Sequence, residues 1–188
     1  MNANPNKQVL IGVAVISGIC LVCCVAAVGT AAIGAPYLAD LVASAAGIPL
    51  TVGSDAPDFE LESLEGGRVR LSEFRGRPVL LVFGATWCPP CRAEAPLIQD
   101  AYEEHPELVV LLVDMDESAG VVQGYVDEMG LTHLVLLDKT SAAAHKYHVS
   151  AIPASFFIDA AGVIRALEVG QLSRAALAEK LAAIGIEP

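Results

Sequence analysis

Trp87-Cys88-Pro89-Pro90-Cys91 is the stretch on which the reading of this chain turns. Cysteines three apart at the start of a helix are neighbours on one helical face. Their Cα atoms then lie roughly 5–6 Å apart, inside the range a disulfide accepts. The pair can therefore close and reopen without rearranging the backbone. Just upstream, Val79-Leu80-Leu81-Val82-Phe83 is a continuous apolar run between Pro78 and Gly84, the pattern of a buried parallel strand. That strand leads straight into the cysteines.

Working outward, the pattern is helical from Pro89 to about His105, with Pro96 placed to kink the helix and Pro106 beyond its end. Leu108 to Val113 reads as a second buried strand, followed by a helix from about Ala119 to Met129. A short strand from Leu134 to Leu137 and a small helix from Ser141 to Tyr147 come next. Ala154 to Ile158 and Val163 to Glu168 are strands joined by Asp159-Ala160-Ala161-Gly162, and Ser173 caps a final amphipathic helix to about Ile184. On the amino-terminal side, Asp58 to Leu61 and Arg68 to Leu71 flank Glu65-Gly66-Gly67 as strand, turn and strand. Alternating strands and helices imply an α/β fold, a central sheet covered on both faces. There are no internal repeats.

Charge divides the 188 residues into two parts. Residues 1–52 hold only Lys7 and Asp40, so all but one of the 22 acidic and all but one of the 11 basic residues lie beyond them. The net charge of −11 thus belongs to a portion of ordinary single-domain size, and an acidic surface that repels phosphate backbones argues for no nucleic acid among the partners. From Val9 to Ile33 there is no charged residue. A helix of that length rises about 37 Å, more than the roughly 30 Å hydrocarbon core requires. A cleavable secretory signal has a shorter apolar region, about 7–15 residues, so the run reads as a retained transmembrane signal-anchor helix in the lipid bilayer. Lys7 on one side, against Asp40, Asp55 and Asp58 on the other, orients the domain to the extracytoplasmic side of the membrane. The organisation expected is a short cytoplasmic amino terminus (1–8), the membrane helix (9–33), a stalk (34–52) and a folded domain (53–188).

The five cysteines sort by place. Cys20, Cys23 and Cys24 fall within the apolar run, where free cysteine acts as a small hydrophobe; acylation and an intermembrane disulfide are the other readings. The domain then has Cys88 and Cys91 alone. That excludes a disulfide framework and a four-cysteine zinc site within one chain. Haem attachment wants His after the second cysteine, where this chain has Arg92. No metal and no cofactor beyond the cysteine pair is expected. Cys88 occupies the helix N-cap, where a side chain accepts hydrogen bonds from first-turn amides. Pro89 and Pro90 have no N–H, so the nearest donor is the Cys91 amide. That donor, the helix dipole and partial exposure favour thiolate at Cys88, the attacking nucleophile. Cys91 then resolves the mixed disulfide and must first lose a proton. Glu94, one turn along, either takes that proton, if burial raises its pKa, or is simply a solvated glutamate favoured by the helix dipole.

Gly84-Ala85-Thr86-Trp87-Cys88-Pro89-Pro90-Cys91-Arg92-Ala93-Glu94-Ala95-Pro96 resembles the active-site region of the TlpA/ResA group of thioredoxin-like proteins. Asp55-Ala56-Pro57-Asp58-Phe59 and Leu71-Ser72-Glu73-Phe74-Arg75-Gly76-Arg77-Pro78 resemble that group's amino-terminal hairpin and approach strand. Val149-Ser150-Ala151-Ile152-Pro153 with Phe156-Phe157-Ile158-Asp159 resembles its cis-proline segment. The likeness covers essentially residues 53–188. It implies a thioredoxin-like fold with an amino-terminal β-hairpin extension. It also implies a cis Pro153 against the cysteines and an Ile152 backbone that pairs with an extended substrate segment, with Trp87, Pro89 and Pro90 facing the substrate. Glu94 matches a glutamate the family uses near its active site. In one departure, ordinary thioredoxins carry a buried Asp on the strand before the motif, whereas this strand offers Leu81, Val82 and Phe83. Glu94 is then the remaining nearby acid.

The activity implied is disulfide reduction in exported proteins, often apocytochrome c before haem attachment, with electrons from a membrane thiol donor. Strong oxidants owe their potential to a stabilised thiolate, and no His stands between these cysteines, so a reducing protein is expected. Two rivals fit less well. A thiol peroxidase of peroxiredoxin type resembles its family in a Thr three residues before the reactive cysteine, where this chain has Ala85 before Cys88. A copper-binding assembly factor or redox-gated interaction module of the same fold would resemble its group in a C-x-x-x-C pair and a distal His.

Overall fold

The structure, a computed structural model, describes residues 50–187. The apolar run at 9–33, with Cys20, Cys23 and Cys24, lies outside the described residues, and among these no helix is long and apolar enough to cross a membrane. In chain order the elements are β1 (Glu60–Ser63), β2 (Arg68–Arg70), a 3-10 turn (Leu71–Phe74), β3 (Val79–Gly84), α1 (Pro89–Glu104), β4 (Val109–Met115), α2 (Ala119–Met129), β5 (Leu134–Asp138), α3 (Ala142–Lys146), β6 (Ala154–Ile158), β7 (Ile164–Val169) and α4 (Arg174–Ala182).

The strands form one mixed sheet in the order β2-β1-β5-β4-β3-β6-β7. Strand β3 is central and buried throughout, pairing parallel with β4 from Val79↔Val109 to Gly84↔Asp114 and antiparallel with β6. Burial on both faces is why its sequence is apolar without alternation. Strand β4 runs two residues beyond the expected Val113, which draws Asp114 into the sheet. Aspartate is a poor strand former, but here the ladder holds it from both sides, through Gly84 on β3 and Leu137 on β5.

Alternate residues of β3 and β4 feed two cores. Leu81, Phe83, Leu111 and Val113 face a cluster that includes Phe59, Tyr147 and Phe156. Its rings stack edge-on or tilted, with centroids 5.3 Å apart for Phe83–Tyr147 and 4.9 Å for Tyr147–Phe156. Leu80, Val82 and Val110 face the other way, against Ile98 and Ala101 of α1 and Leu177 and Leu181 of α4. Helix α2 buries Val122 and Tyr125 beside Leu112. Ser173 caps α4 by accepting from the Ala176 amide at 3.2 Å. The segment before β1 is tied to the start of β7: Gly53 N–H donates to Ile164 O at 2.8 Å, Ile164 N–H to Ser54 O at 2.9 Å, and Ala56 N–H to Gly162 O at 2.9 Å.

Candidate active site

Strand β3 ends at Gly84, and four residues later the chain reaches Cys88, whose extended backbone (φ −84°, ψ 110°) makes it the N-cap of α1. With prolines at the first two helical positions, the first amide able to turn back is that of Cys91, and it donates to Cys88 Sγ at 3.3 Å. The two cysteines form a disulfide with Cα atoms 5.3 Å apart, inside the spacing expected from the helix. Cys91 Sγ rests on the end of the strand, since a Cβ on Gly84 would lie 3.5 Å from it.

Exposure differs from expectation. Cys88 is 2% exposed and Cys91 7%, so in the disulfide form neither sulfur is offered to solvent, and Cys88 is not the partly exposed residue expected. The cover is tertiary: Ile152 packs against Ala85, Cys88 and Cys91. The Ile152–Pro153 peptide is cis, and Pro153 is buried while its carbonyl accepts from Gly170 N–H at 2.8 Å. Trp87, 68% exposed, and the exposed Pro89 stand beside the disulfide, with Pro90 half-buried. Ile152 is thus brought onto the cysteines, with Pro153 next to it in the chain and Trp87, Pro89 and Pro90 flanking Cys88.

Glu94 is not a solvated helix residue. It is 1% exposed, its Oε2 accepts from Leu172 N–H at 2.7 Å, and its Oε1 has no protein partner. Burial pushes its pKa up to about 7, against the smaller opposing pull of the Leu172 amide. A carboxyl with that pKa can hold or release a proton near neutral pH.

Glu94 is also not the sole nearby acid, which corrects the expectation drawn from β3. Asp114, 3% exposed, lines the same small cavity as Cys91, Glu94, Tyr125 and His133. Burial, reinforced by the neighbouring Glu117 carboxylate, raises Asp114 to about 8. His133 is driven down to about 4 by burial, so its imidazole is neutral there. Glu117 holds the turn before the cysteines: its oxygens accept from Thr86 N–H at 2.6 Å and Thr86 O–H at 2.7 Å. Arg92 donates to Thr86 O at 3.3 Å, pairs with Glu128 and lies 5.2 Å from the Tyr125 ring centroid. The available sequence signal for Asp114 and Glu117 was their place just after a buried parallel strand, where α/β sheets gather functional groups. Among the described residues no cluster of His, Cys, Asp and Glu has the geometry to hold a metal ion.

Residues 52–167 match the AhpC/TSA family. The thiol-disulfide oxidoreductase ResA of Geobacillus thermodenitrificans is 32% identical over 137 residues, covering 72% of this chain and 79% of the relative. The thioredoxin-like protein YneN of Bacillus subtilis is 35% identical over 133 residues, covering 69% and 78%. Among solved structures, a secreted Mycobacterium tuberculosis disulfide oxidoreductase homologous to E. coli DsbE superposes with a TM-score of 0.62 at 26% identity, covering 66% of this chain and 95% of the other. With a disulfide at a helix N-cap, a sulfur pair covered by Ile152 and a thioredoxin-like α/β sheet, the chain belongs to the AhpC/TSA family as a protein-disulfide reductase of the ResA/TlpA type.

Proposed function

We propose that this reductase is held in the lipid bilayer by residues 9–33 and works outside the cytosol, reducing disulfides of exported proteins, apocytochrome c among them. The length of the apolar run and the charge bias around it support the anchor. A disulfide-exchanging site also suits a compartment where disulfides persist.

The observation that carries the reductive direction is the poverty of donors at Cys88. Among the described residues, the one hydrogen bond to its sulfur comes from the Cys91 amide, because Pro89 and Pro90 supply none. A thiolate stabilised by so little gives a weak oxidant, and the reduced form readily passes its electrons on.

In the cycle that follows, the Cys88 thiolate attacks a client disulfide, and one client sulfur departs as thiolate. Cys91 gives its S–H proton to Glu94, then attacks Cys88 Sγ. The Cys88–client bond breaks and the second client sulfur leaves with the electron pair. The client gains two electrons and the chain is left as the Cys88–Cys91 disulfide, which a membrane dithiol donor restores. The Ile152 backbone, next to Pro153, pairs with an extended client segment, while Trp87, Pro89 and Pro90 form the surface it lies on.

Trapping tests the assignment. In the full-length anchored chain, Cys91→Ser accumulates exported proteins disulfide-linked to Cys88, and Cys88→Ser does not. Equal yields from the two variants would overturn the nucleophile assignment. A reduction potential near about −120 mV, the oxidant end of the known range, would overturn the reductive direction.

A further inference from the structure

Beneath the disulfide lies a cavity of about 20 Å³ bordered by Cys91, Glu94, Asp114, Tyr125 and His133. A buried water needs roughly 10–15 Å³ and two to four polar partners. Two carboxylate oxygens there, Glu94 Oε1 and Asp114 Oδ1, are buried without a protein partner.

The sheet fixes where Asp114 stands. It is in register with Gly84, the residue on which Cys91 Sγ rests at 3.5 Å from the Cβ position, and neighbouring strands lie about 4.8 Å apart. Strand alternation places Asp114 on the same face as Leu112 and Val110, the face against which α1 packs. Asp114 is therefore one strand away from the resolving sulfur, at the depth where β3 itself offers Gly84 and no acid.

We propose that Asp114 is a second proton-holding carboxyl serving Cys91, coupled to Glu94 through the cavity they share, so that the site carries a two-carboxyl proton store. The inference rests on Cys91 as the resolving cysteine and Glu94 as its proton acceptor. Asp114 is a positioning residue in this scheme. It acts on the sulfur through Glu94 and through water in the cavity.

The charges facing the pair support such a store. From α1 comes Arg92, which is engaged by Glu128 and Thr86 O and lies over Tyr125. From the β4–α2 turn comes Glu117, whose oxygens accept from Thr86 and whose carboxylate also faces Asp114 and favours its protonated form. Between α2 and β5 comes His133, neutral above about pH 4. No unengaged cation among the described residues faces the two carboxyls, and two like charges in one buried site resist ionising together. Burial in fact raises both, Glu94 to about 7 and Asp114 to about 8. At neutral pH the pair then retains a proton and keeps a vacancy for another. When Cys91 resolves a mixed disulfide, its S–H proton enters the pair as the Cys91–Cys88 bond forms and the Cys88–client bond breaks. When a dithiol donor reduces the disulfide, the proton returns to Cys91.

The test is the pH profile of resolution in the full chain, with Cys88 loaded with thionitrobenzoate and its release followed by stopped flow. We expect Glu94→Gln to slow release by about tenfold at pH 7, and Glu94→Gln/Asp114→Asn together by about a hundredfold, the lower end of general-base contributions. Asp114→Asn alone removes the upper of two steps in the profile, because a single titrating carboxyl then remains in the cavity. If the double variant coincides with Glu94→Gln at every pH, the proposal is wrong. If Glu94→Gln itself coincides with wild type, the Glu94 assignment fails, and with it the store. Insulin-disulfide reduction by the wild-type protein reads the underlying exchange separately from both. Reduced-minus-oxidised infrared spectra keep the proposal open to refutation even where a variant folds poorly. The wild-type protein should give two protonated-carboxyl bands, one lost in each single variant, and a single band lost wholly in Glu94→Gln overturns it.

Discussion

On one face of the β3–β4 pair, Phe83 and Val113 press against Tyr147 and Phe156; on the other, one residue further along each strand, Gly84 and Asp114 border the cavity under the disulfide. The period of two in a strand separates them. The aromatic face is packed with interlocking rings, and its one phenol, Tyr147, donates to Pro57 O at 3.0 Å. The cavity face gives up close packing at its end and accepts buried acids with unmatched oxygens. Aromatic packing and proton handling are thereby assigned to opposite sides of the same two strands, so a substitution on the ring face should leave the pH dependence of exchange unmoved.

The strongest challenge to that division is Phe59→Ala, which removes a ring buried against Tyr147. It should cost about 3–5 kcal/mol in urea unfolding, and leave the pH profile of thiol exchange where it was. A moved profile would mean that the faces communicate. Glu94→Gln should act in the opposite sense on stability. Burial lifts Glu94 from 4.5 to about 7, so between those values the folded protein keeps a proton that the unfolded chain has released. Stability from this group is therefore full below about pH 4.5 and is lost as pH rises to about 7. Removing the carboxyl should make the oxidised protein more stable than wild type at pH 8, by up to about 3 kcal/mol, and flatten that slope. A Glu94→Gln protein whose unfolding keeps the wild-type pH slope would break the assignment of acid handling to this face. The smallest effect is expected from Tyr147→Phe, which loses the hydrogen bond to Pro57 O for about 1 kcal/mol and alters neither pH slope nor exchange rate.

What could be read from sequence follows the range of the interactions concerned. Helix α2, strand β6 and the Ser173 cap are written in runs and caps a few residues long, and they stand where those signals put them. The Cys91 amide at Cys88 Sγ was likewise local, a matter of which neighbours lack an N–H. Asp114 was not legible, because an aspartate after an apolar run reads as the end of a strand. Only pairing with Gly84 and Leu137 turns it into a buried acid. Thr86 and Glu117 are 31 residues apart, so nothing near the cysteines announces the clamp. The burial of Cys88 escaped for the same reason. Its cover, Ile152, arrives from a distant part of the chain with the cis-proline turn.

The seam between residues 53–56 and the start of β7 gives the domain a polarity. Along the β6–β7 hairpin, Ala154↔Val169 lies beside Pro153 and the cysteines, whereas Ile158↔Ile164 lies at the other end, about 13 Å away at the usual rise per residue. Residues 53–56 bond at that far end. They thus form the heel of the domain, and the cysteines lie toward its opposite tip.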